Sequence, residues 1–522
     1  MPQTAPITEI RSGKIRGATR LGIHSFKGIP YGASTAGANR FRAPQPVQPW
    51  AGVRDALEFG PTCPQLTVRD AELFAWYHPV LNSSEDCLRL NVFTPGVERE
   101  SRGRRPVMVW VHGGGFISGA GSADIFEGTN LSRYGDVVVV TITHRLGVLG
   151  FLNLGNWDRS VPEAGNVGML DLVQALEWVR DNIAAFGGDP GNVTVFGQSG
   201  GTGKISTLLA MPSARGLMHK VIMQSGCALI LRTPEQSAQH THRVLSQLPA
   251  GMWDGRSADS LRKVPFEQLV TATKAGGARF GAYVDGSIVA THPCEPGAPE
   301  VSREVSIIIG SAAQEASYFY KKDMAVLSLT DMAEVRDRLV HRLGCDKAAA
   351  ENFIEVHRSR RPDATPVQLL LSIESDYMYR LRCIQYAERK AAQNAAPVWM
   401  YYFSWQTPAL GGLFGAPHCV CVPLVFRNQH LAANLLGEGP DTQAISDRLC
   451  ESWIAYARNG DPNAGMKAWK PYRLPERSTM IFDRQCEVVD DPLAEERQAM
   501  ARHGAHANYI SSTREKFPRQ SA

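Results

Sequence analysis

Six short runs of apolar and β-branched residues punctuate this chain: Val107–Val111 (VMVWV), Val137–Thr143 (VVVVTIT), Val193–Phe196 (VTVF), Val221–Met223, Ile307–Ile309 and Val398–Phe403 (VWMYYF). They run on without the charged alternate positions that a strand with one wet face would carry. Continuous runs of this length, bounded by turn residues, fit strands buried on both faces, as in a mostly parallel sheet. Helical patterns lie between them. In Met169–Phe186, residues Leu172, Leu176, Val179 and Ile183 recur at spacings of four, three and four, and Gly187-Gly188 supplies the stop. Strands alternating with helices predict an α/β fold, a central mostly parallel sheet flanked by helices. Segments 230–300 and 320–395 are more helical and irregular. They read as insertions over the carboxyl edge of the sheet, where α/β sites lie.

Composition removes several classes of function. The 522 residues carry 55 basic and 51 acidic side chains, a formal charge of +4, which gives no support for nucleic-acid binding or polybasic membrane docking. Hydrophobic residues at 43% suffice for a large core, and charged residues at 20% are ordinary for a soluble chain. No run of about 18 apolar residues marks a membrane span. The amino terminus, MPQTAPITEIRSGKIRG, lacks the apolar core of a signal peptide and reads as a first strand and turn, so a cytoplasmic location is expected. Ten scattered cysteines form no paired CxxC, and Cys419-Val-Cys421 is too tight for a zinc knuckle, so no metal is expected. Residues 511–522 read as a loose polar tail.

One turn carries chemistry. After the run ending at Phe196 come Gly197-Gln198-Ser199-Gly200-Gly201 and then a helical pattern. This fits G-x-S-x-G, the nucleophile elbow of α/β-hydrolases, in which a strained turn lifts a serine hydroxyl above the sheet. Side chains two residues either side would collide, and glycine at 197 and 201 removes both collisions. GQSGGTGK also resembles a phosphate-binding loop. That motif needs glycine where Gln198 stands and Ser or Thr where Ile205 stands, so it fails twice.

A serine nucleophile needs donors for the oxyanion it creates. Trp110-Val-His112-Gly113-Gly114-Gly115-Phe116 follows a buried run, as the HGGG loop of lipases and esterases does, and bare glycines let backbone N–H groups approach a substrate. The residue after the nucleophile, Gly200, offers one more donor.

With these motifs the chain resembles the type-B carboxylesterase family, which includes the cholinesterases. Ser84–Pro95 (SEDCLRLNVFTP) resembles its SEDCLxLN signature; Phe26–Tyr31 (FKGIPY) and Arg40–Pro44 (RFRAP) resemble its opening strands. Phe186–Pro190 (FGGDP) and Gln224-Ser-Gly226 resemble segments flanking its elbow. The resemblance covers almost the whole chain. It implies one catalytic domain over residues 1–510, where length alone would suggest about three.

The resemblance also places the rest of a triad. Glu315, in IIIGSAAQEASYF, is the implied acid, and His418, in GAPHCVCVPLVF, the implied base. The order Ser, acid, His is that of α/β-hydrolases. Asp285-Gly286 is the competing acid, though a DG pair reads more simply as a turn. The implied oxyanion donors are the N–H groups of Gly114, Gly115 and Gly200, with the His112 imidazole as packing. Ser225 matches a serine beside the triad, and Glu85 with Arg42 a structural ion pair. Cys63 and Cys87 match a family disulfide whose formation here stays open. Trp76 and Tyr77 lie in the loop it would close, where relatives place an aromatic against substrate. Two departures remove negative charge beside the triad: Gln198 before the nucleophile and Cys421 three residues after His418, both positions where cholinesterases often carry an acid.

The reading is a serine hydrolase of neutral, hydrophobic small-molecule esters, working through an acyl-enzyme without metal or cofactor. Two alternatives stay open. One is the same triad serving amides or carbamates, and the other is a silent adhesion or scaffold member of the fold.

Overall fold

The computed structural model describes residues 5–67, 70–78, 82–97, 103–464 and 468–502. Three strands near the amino terminus, β1 (Ile7–Ile10), β2 (Gly13–Arg16) and β5 (Val53–Asp55), form a small sheet. The other strands join one large sheet: β3 (Ala18–Arg20), β4 (Ile23–Pro30), β6 (Arg89–Thr94), β7 (Arg105–Val111), β8 (Val138–Thr143), β9 (Gly188–Gln198), β10 (Lys220–Gln224), β11 (Ser306–Ala312), β12 (Val398–Phe403), β13 (Ser478–Phe482) and β14 (Glu487–Asp490). Their order across the sheet is 14-13-12-11-10-9-7-8-6-4-3. Neighbours from β8 through β13 run parallel, and the outer pairs are antiparallel.

The apolar runs explain this arrangement. Every residue of β7, β8, β11 and β12 is buried, which is the two-sided burial that their unbroken apolar pattern requires. Strand β9 is longer than its run. It begins at Gly188, and its first half is partly exposed, so only Val193–Phe196 carried the signal. The sheet order reverses at β7, between β8 and β9, and sites in open α/β sheets form at such a switch, outside the carboxyl ends of the strands.

The helix expected over Met169–Phe186 spans Val167–Asn182 and tightens into a 3-10 turn, Ile183–Phe186. It stops where Gly187 turns left-handed at φ 72°. All four stripe residues are buried against the sheet. The first insertion contributes helices Pro234–Leu245, Ala258–Arg262 and Phe266–Ala275. In the second, Met332–Leu343 and Lys347–Arg360 precede a longer helical rod. Pro366–Ser375 continues through one π-helical turn, Asp376–Arg380, into Leu381–Ala391.

One expected contact is corrected. Glu85 pairs with Arg40, not Arg42: Arg40 Nε and Nη2 reach its two carboxylate oxygens at 2.6 and 2.5 Å, and both side chains are buried. The chain turns left-handed at Phe41 (φ 65°), which sends the two arginines apart, and Arg42 contributes its backbone, the carbonyl to Arg145 and the N–H to Asn39 O. Cys63 and Cys87 are both buried free thiols. Among the described residues no helix is long and apolar enough to cross a membrane. The expected tail from Ser511 lies outside the described residues.

Candidate active site

Ser199 stands at the turn between β9 and the helix Gly200–Leu209, with φ 56° and ψ −120°, a conformation that side-chain-bearing residues rarely adopt. Its N–H donates to the carbonyl of Gln224 at the end of β10 (2.9 Å). The flanking glycines are sterically required. A Cβ on Gly197 would lie 2.7 Å from the carbonyl oxygen of Val111, and one on Gly201 would lie 2.1 Å from the same atom.

Strand β7 delivers the glycine loop beside this turn. Its carbonyls are tied back. His112 O accepts from Lys204 Nζ at 3.0 Å, Gly113 O from His112 Nδ1 at 2.8 Å, and Gly114 O from the Ser118 hydroxyl at 3.0 Å. Gly114 and Gly115 have positive φ, 84° and 65°. Among the described residues no acceptor takes the N–H of either. Gly200 opens a helix, so its N–H is one of the four that helix geometry leaves free. The loop packs so closely that a Cβ on Gly200 would sit 2.3 Å from Gly115 N. Three donors therefore collect beside Ser199. His112 is fully buried, and burial pushes its imidazole well below the usual range, so it is neutral packing, as expected.

Glu315 follows β11 and has no exposed surface. One carboxylate oxygen accepts from Ala312 N at 2.7 Å, and the other takes the hydrogen bond of His418 Nδ1. The two segments are laced together just before these residues: Ala416 N donates to Gln314 Oε1 (2.9 Å), and Gln314 N donates to Ala416 O (3.0 Å). The other ring nitrogen, His418 Nε2, lies 3.1 Å from the side-chain nitrogen of Gln198. The tautomer follows from these partners: Nδ1 carries the hydrogen facing the carboxylate, and Nε2 presents its lone pair. The Ser199 hydroxyl makes no hydrogen bond among the described residues.

The remaining predicted residues divide. Tyr77 is buried and reaches the site, its hydroxyl donating to Gln198 Oε1 at 2.7 Å. Trp76 does not; its Nε1 donates to Leu73 O, and its ring lines a separate cleft of about 650 Å³ with Phe59, Asp124 and His430. This aromatic segment is pinned by Asp70, whose carboxylate accepts from Lys321 Nζ (2.8 Å), His78 Nε2 (2.9 Å) and Tyr318 OH (3.1 Å). Ser225 is buried just past β10, with φ 60°. Cys421 accepts a hydrogen bond from Gln224 at 2.9 Å, and burial pushes its thiol up to about 12, so it is neutral. Asp285 is the turn residue it seemed, capping Ser287 N and Val289 N.

Sequence reading missed the aromatic wall. The His418 ring lies 4.8 Å from Tyr379, 5.4 Å from Phe319 and 5.6 Å from Tyr318, centroid to centroid. Phe319 is 43% exposed, and its ring is nearly parallel to that of Tyr379. The aromatic run Tyr318-Phe319-Tyr320 just past Glu315 was a usable signal. Tyr379 was not readable, because the π turn that carries it sets its direction.

A family model, that of the Carboxylesterase family, matches residues 4–501. The chain belongs to that family. It is 34% identical over 511 residues to the para-nitrobenzyl esterase of Bacillus subtilis (strain 168), covering 95% of this chain and 99% of that one. To the phenmedipham hydrolase of Pseudarthrobacter oxydans it is 32% identical over 505 residues, covering 94% and 97%. The crystal structure of the Geobacillus stearothermophilus carboxylesterase at pH 6.2 superposes with a TM-score of 0.82 at 36% identity, over 94% of this chain and 99% of that one. The α/β-hydrolase fold and the assignment as an ester-hydrolysing carboxylesterase stand on these matches.

Proposed function

We propose that this carboxylesterase cleaves neutral, hydrophobic small-molecule esters through an acyl-enzyme, with Ser199, His418 and Glu315 as the triad in a single catalytic domain. The observation that carries this reading is the buried Glu315–His418 pair, with the basic Nε2 of its imidazole turned toward the strained Ser199 turn. In the resting enzyme that lone pair accepts the Gln198 N–H. Substrate arrival exchanges this contact for the Ser199 hydroxyl, and apo sites commonly tighten this way. His418 then takes the serine proton as Ser199 Oγ bonds to the ester carbonyl carbon. The carbonyl electrons move to oxygen, which the N–H groups of Gly114, Gly115 and Gly200 receive. Collapse of the tetrahedral adduct breaks the bond to the alcohol oxygen, and His418 returns the proton to it. Water repeats the cycle on the acyl-enzyme and releases the acid. Glu315 holds the tautomer and stabilises the imidazolium.

Neutral esters are favoured because, apart from the fully buried Glu315 carboxylate behind Nδ1, the groups around the imidazole carry no charge. Gln198 is an amide, Cys421 a neutral thiol, and Phe319 and Tyr379 form an apolar wall. The test is labelling with a fluorophosphonate and turnover of Ser199→Ala. Label on Ser199 and a rate loss on the order of 10⁶ are expected. Label on another serine, or an active Ser199→Ala protein, overturns the triad.

A further inference from the structure

The segment that resembles a phosphate-binding loop holds one residue that ester cleavage does not use. Lys204 lies in the helix behind Ser199, and its side chain is fully buried. Among the described residues no carboxylate pairs with it. Its hydrogen-bond acceptor is the carbonyl of His112, at 3.0 Å, and Nζ lies 5.8 Å from the centre of the Phe116 ring. An ammonium buried without a counter-ion is costly, so an apolar residue here would make a more stable helix.

While it is protonated, this amine is the one uncompensated positive charge among the described groups around it. His112 and His144 stack with ring centroids 5.1 Å apart. Each turns Nδ1 to a backbone carbonyl at 2.8 Å, which fixes the hydrogen there and leaves Nε2 as a bare acceptor. Neither Nε2 has a hydrogen-bond partner among the described residues. Burial first, and the Lys204 ammonium second, push both imidazoles well below their usual range. The next charged groups, Arg145 and Asp171, neutralise each other through two contacts of 2.8 and 2.6 Å. From β9 and β10 the side chains near the turn are the neutral amides Gln198 and Gln224. Burial lowers Lys204 itself to about 7.

We infer that Lys204 is a positioning residue for the oxyanion loop: its buried ammonium holds the His112 carbonyl turned away from the substrate and sets a positive charge behind the N–H groups of Gly114 and Gly115. This rests on the reading that those N–H groups receive the oxyanion. His112 begins the loop, so an anchor on its carbonyl fixes the direction in which the following peptides face. A charge at that anchor favours the adduct, in which the oxygen is negative, over the neutral ester. The residue touches neither substrate nor reacting atoms.

The experiment compares native protein with Lys204→Met and Lys204→Arg on a p-nitrophenyl ester across pH, with fluorophosphonate titration counting competent sites. Lys204→Met is expected to label fully, to lose kcat by about tenfold or more with KM nearly unchanged, and to lack an alkaline limb that the native enzyme shows. Lys204→Arg, which keeps its charge, is expected to recover kcat and show no such limb. If either variant fails to fold, the native protein decides. Its affinity for a trifluoromethyl ketone, which forms the tetrahedral adduct, should fall as pH rises through an ionisation near 7, while affinity for a ground-state amide analogue should stay flat across the same ionisation. A Lys204→Met enzyme with native kcat, or native adduct affinity that is flat with pH, overturns the inference. Absence of label on native Ser199 would instead overturn the triad, so the two failures are distinct.

Discussion

Gln198 offers its side-chain N–H to Nε2 of His418 across 3.1 Å, while Tyr77 holds the other end of the same amide at 2.7 Å. The atom that accepts the serine proton in the proposed mechanism is therefore occupied by a neutral donor, locked in orientation by a buried hydroxyl.

Gln198→Glu places a carboxylate against that nitrogen. An opposite charge within hydrogen-bond reach favours the imidazolium, and the base works only when neutral. The acid limb of kcat/KM should move to higher pH, by about 1–3 units. The same carboxylate should raise kcat/KM for a choline ester relative to its uncharged 3,3-dimethylbutyl isostere. A native enzyme that already prefers the choline ester would refute the account of neutral selectivity.

Glu315 and Asp285 separate under mutation. Glu315→Gln removes the charge that orients His418, and in comparable triads that change costs on the order of 10⁴ in kcat. Asp285 instead caps its own turn and accepts from Asn166 at 2.8 Å, so Asp285→Asn should keep most activity. The reverse pattern in steady-state rates would mean that the acid lies elsewhere.

The glycines of the elbow are not equivalent. Gly201→Ala drives a methyl group to within 2.1 Å of the Val111 carbonyl, between the backbone of the helix Gly200–Leu209 and that of β7. Overpacking of this kind costs about 1–3 kcal/mol or more. Gly203→Ala meets only the edge of the Phe116 ring at 3.4 Å and gains helix propensity of up to about 1 kcal/mol. Thermal melting should show Gly201→Ala well below native and Gly203→Ala at or above it. Equal melting temperatures would show that Val111 can yield.

Lys204 also sets a pH dependence of stability. Its amine titrates near 7 when folded and near the ordinary 10.5 when unfolded, so between these values the unfolded chain binds more protons. Stability should rise with pH across that window. Lys204→Met should lack the rise and melt higher than native below pH 7. A native melting temperature that falls steadily from pH 7 to 10 would contradict the burial of a titrating amine.

Much of this was legible in the sequence, for physical reasons. β7, β8, β11 and β12 declared themselves because strands buried on both faces must be apolar throughout. Ser199 and the HGGG loop declared themselves because their geometry tolerates few side chains. The pairing of Glu315 with His418 came only through family resemblance, since nothing local sets one histidine apart from the other thirteen. Arg42 was preferred to Arg40 because a left-handed residue between them cannot be read from composition. Trp76 and Tyr77 are adjacent, yet only Tyr77 turns inward, because the 3-10 turn Glu72–Tyr77 decides which face is buried.

The π turn at Asp376–Arg380 has a consequence for how such pockets diverge. Arg380 clamps Asp376 with two contacts of 2.7 Å, and His357 adds a third at 3.3 Å, so the wide turn is fastened from both sides. A π turn holds one residue more than the α-helical turn it replaces, and each residue rotates the rod by about 100°. Deleting one residue here would swing Tyr379 off His418 without changing any side chain. The face that this rod shows to a substrate is thus a matter of phase as much as of identity, and a single-codon insertion or deletion can exchange one pocket lining for another while the sheet beneath keeps its chemistry.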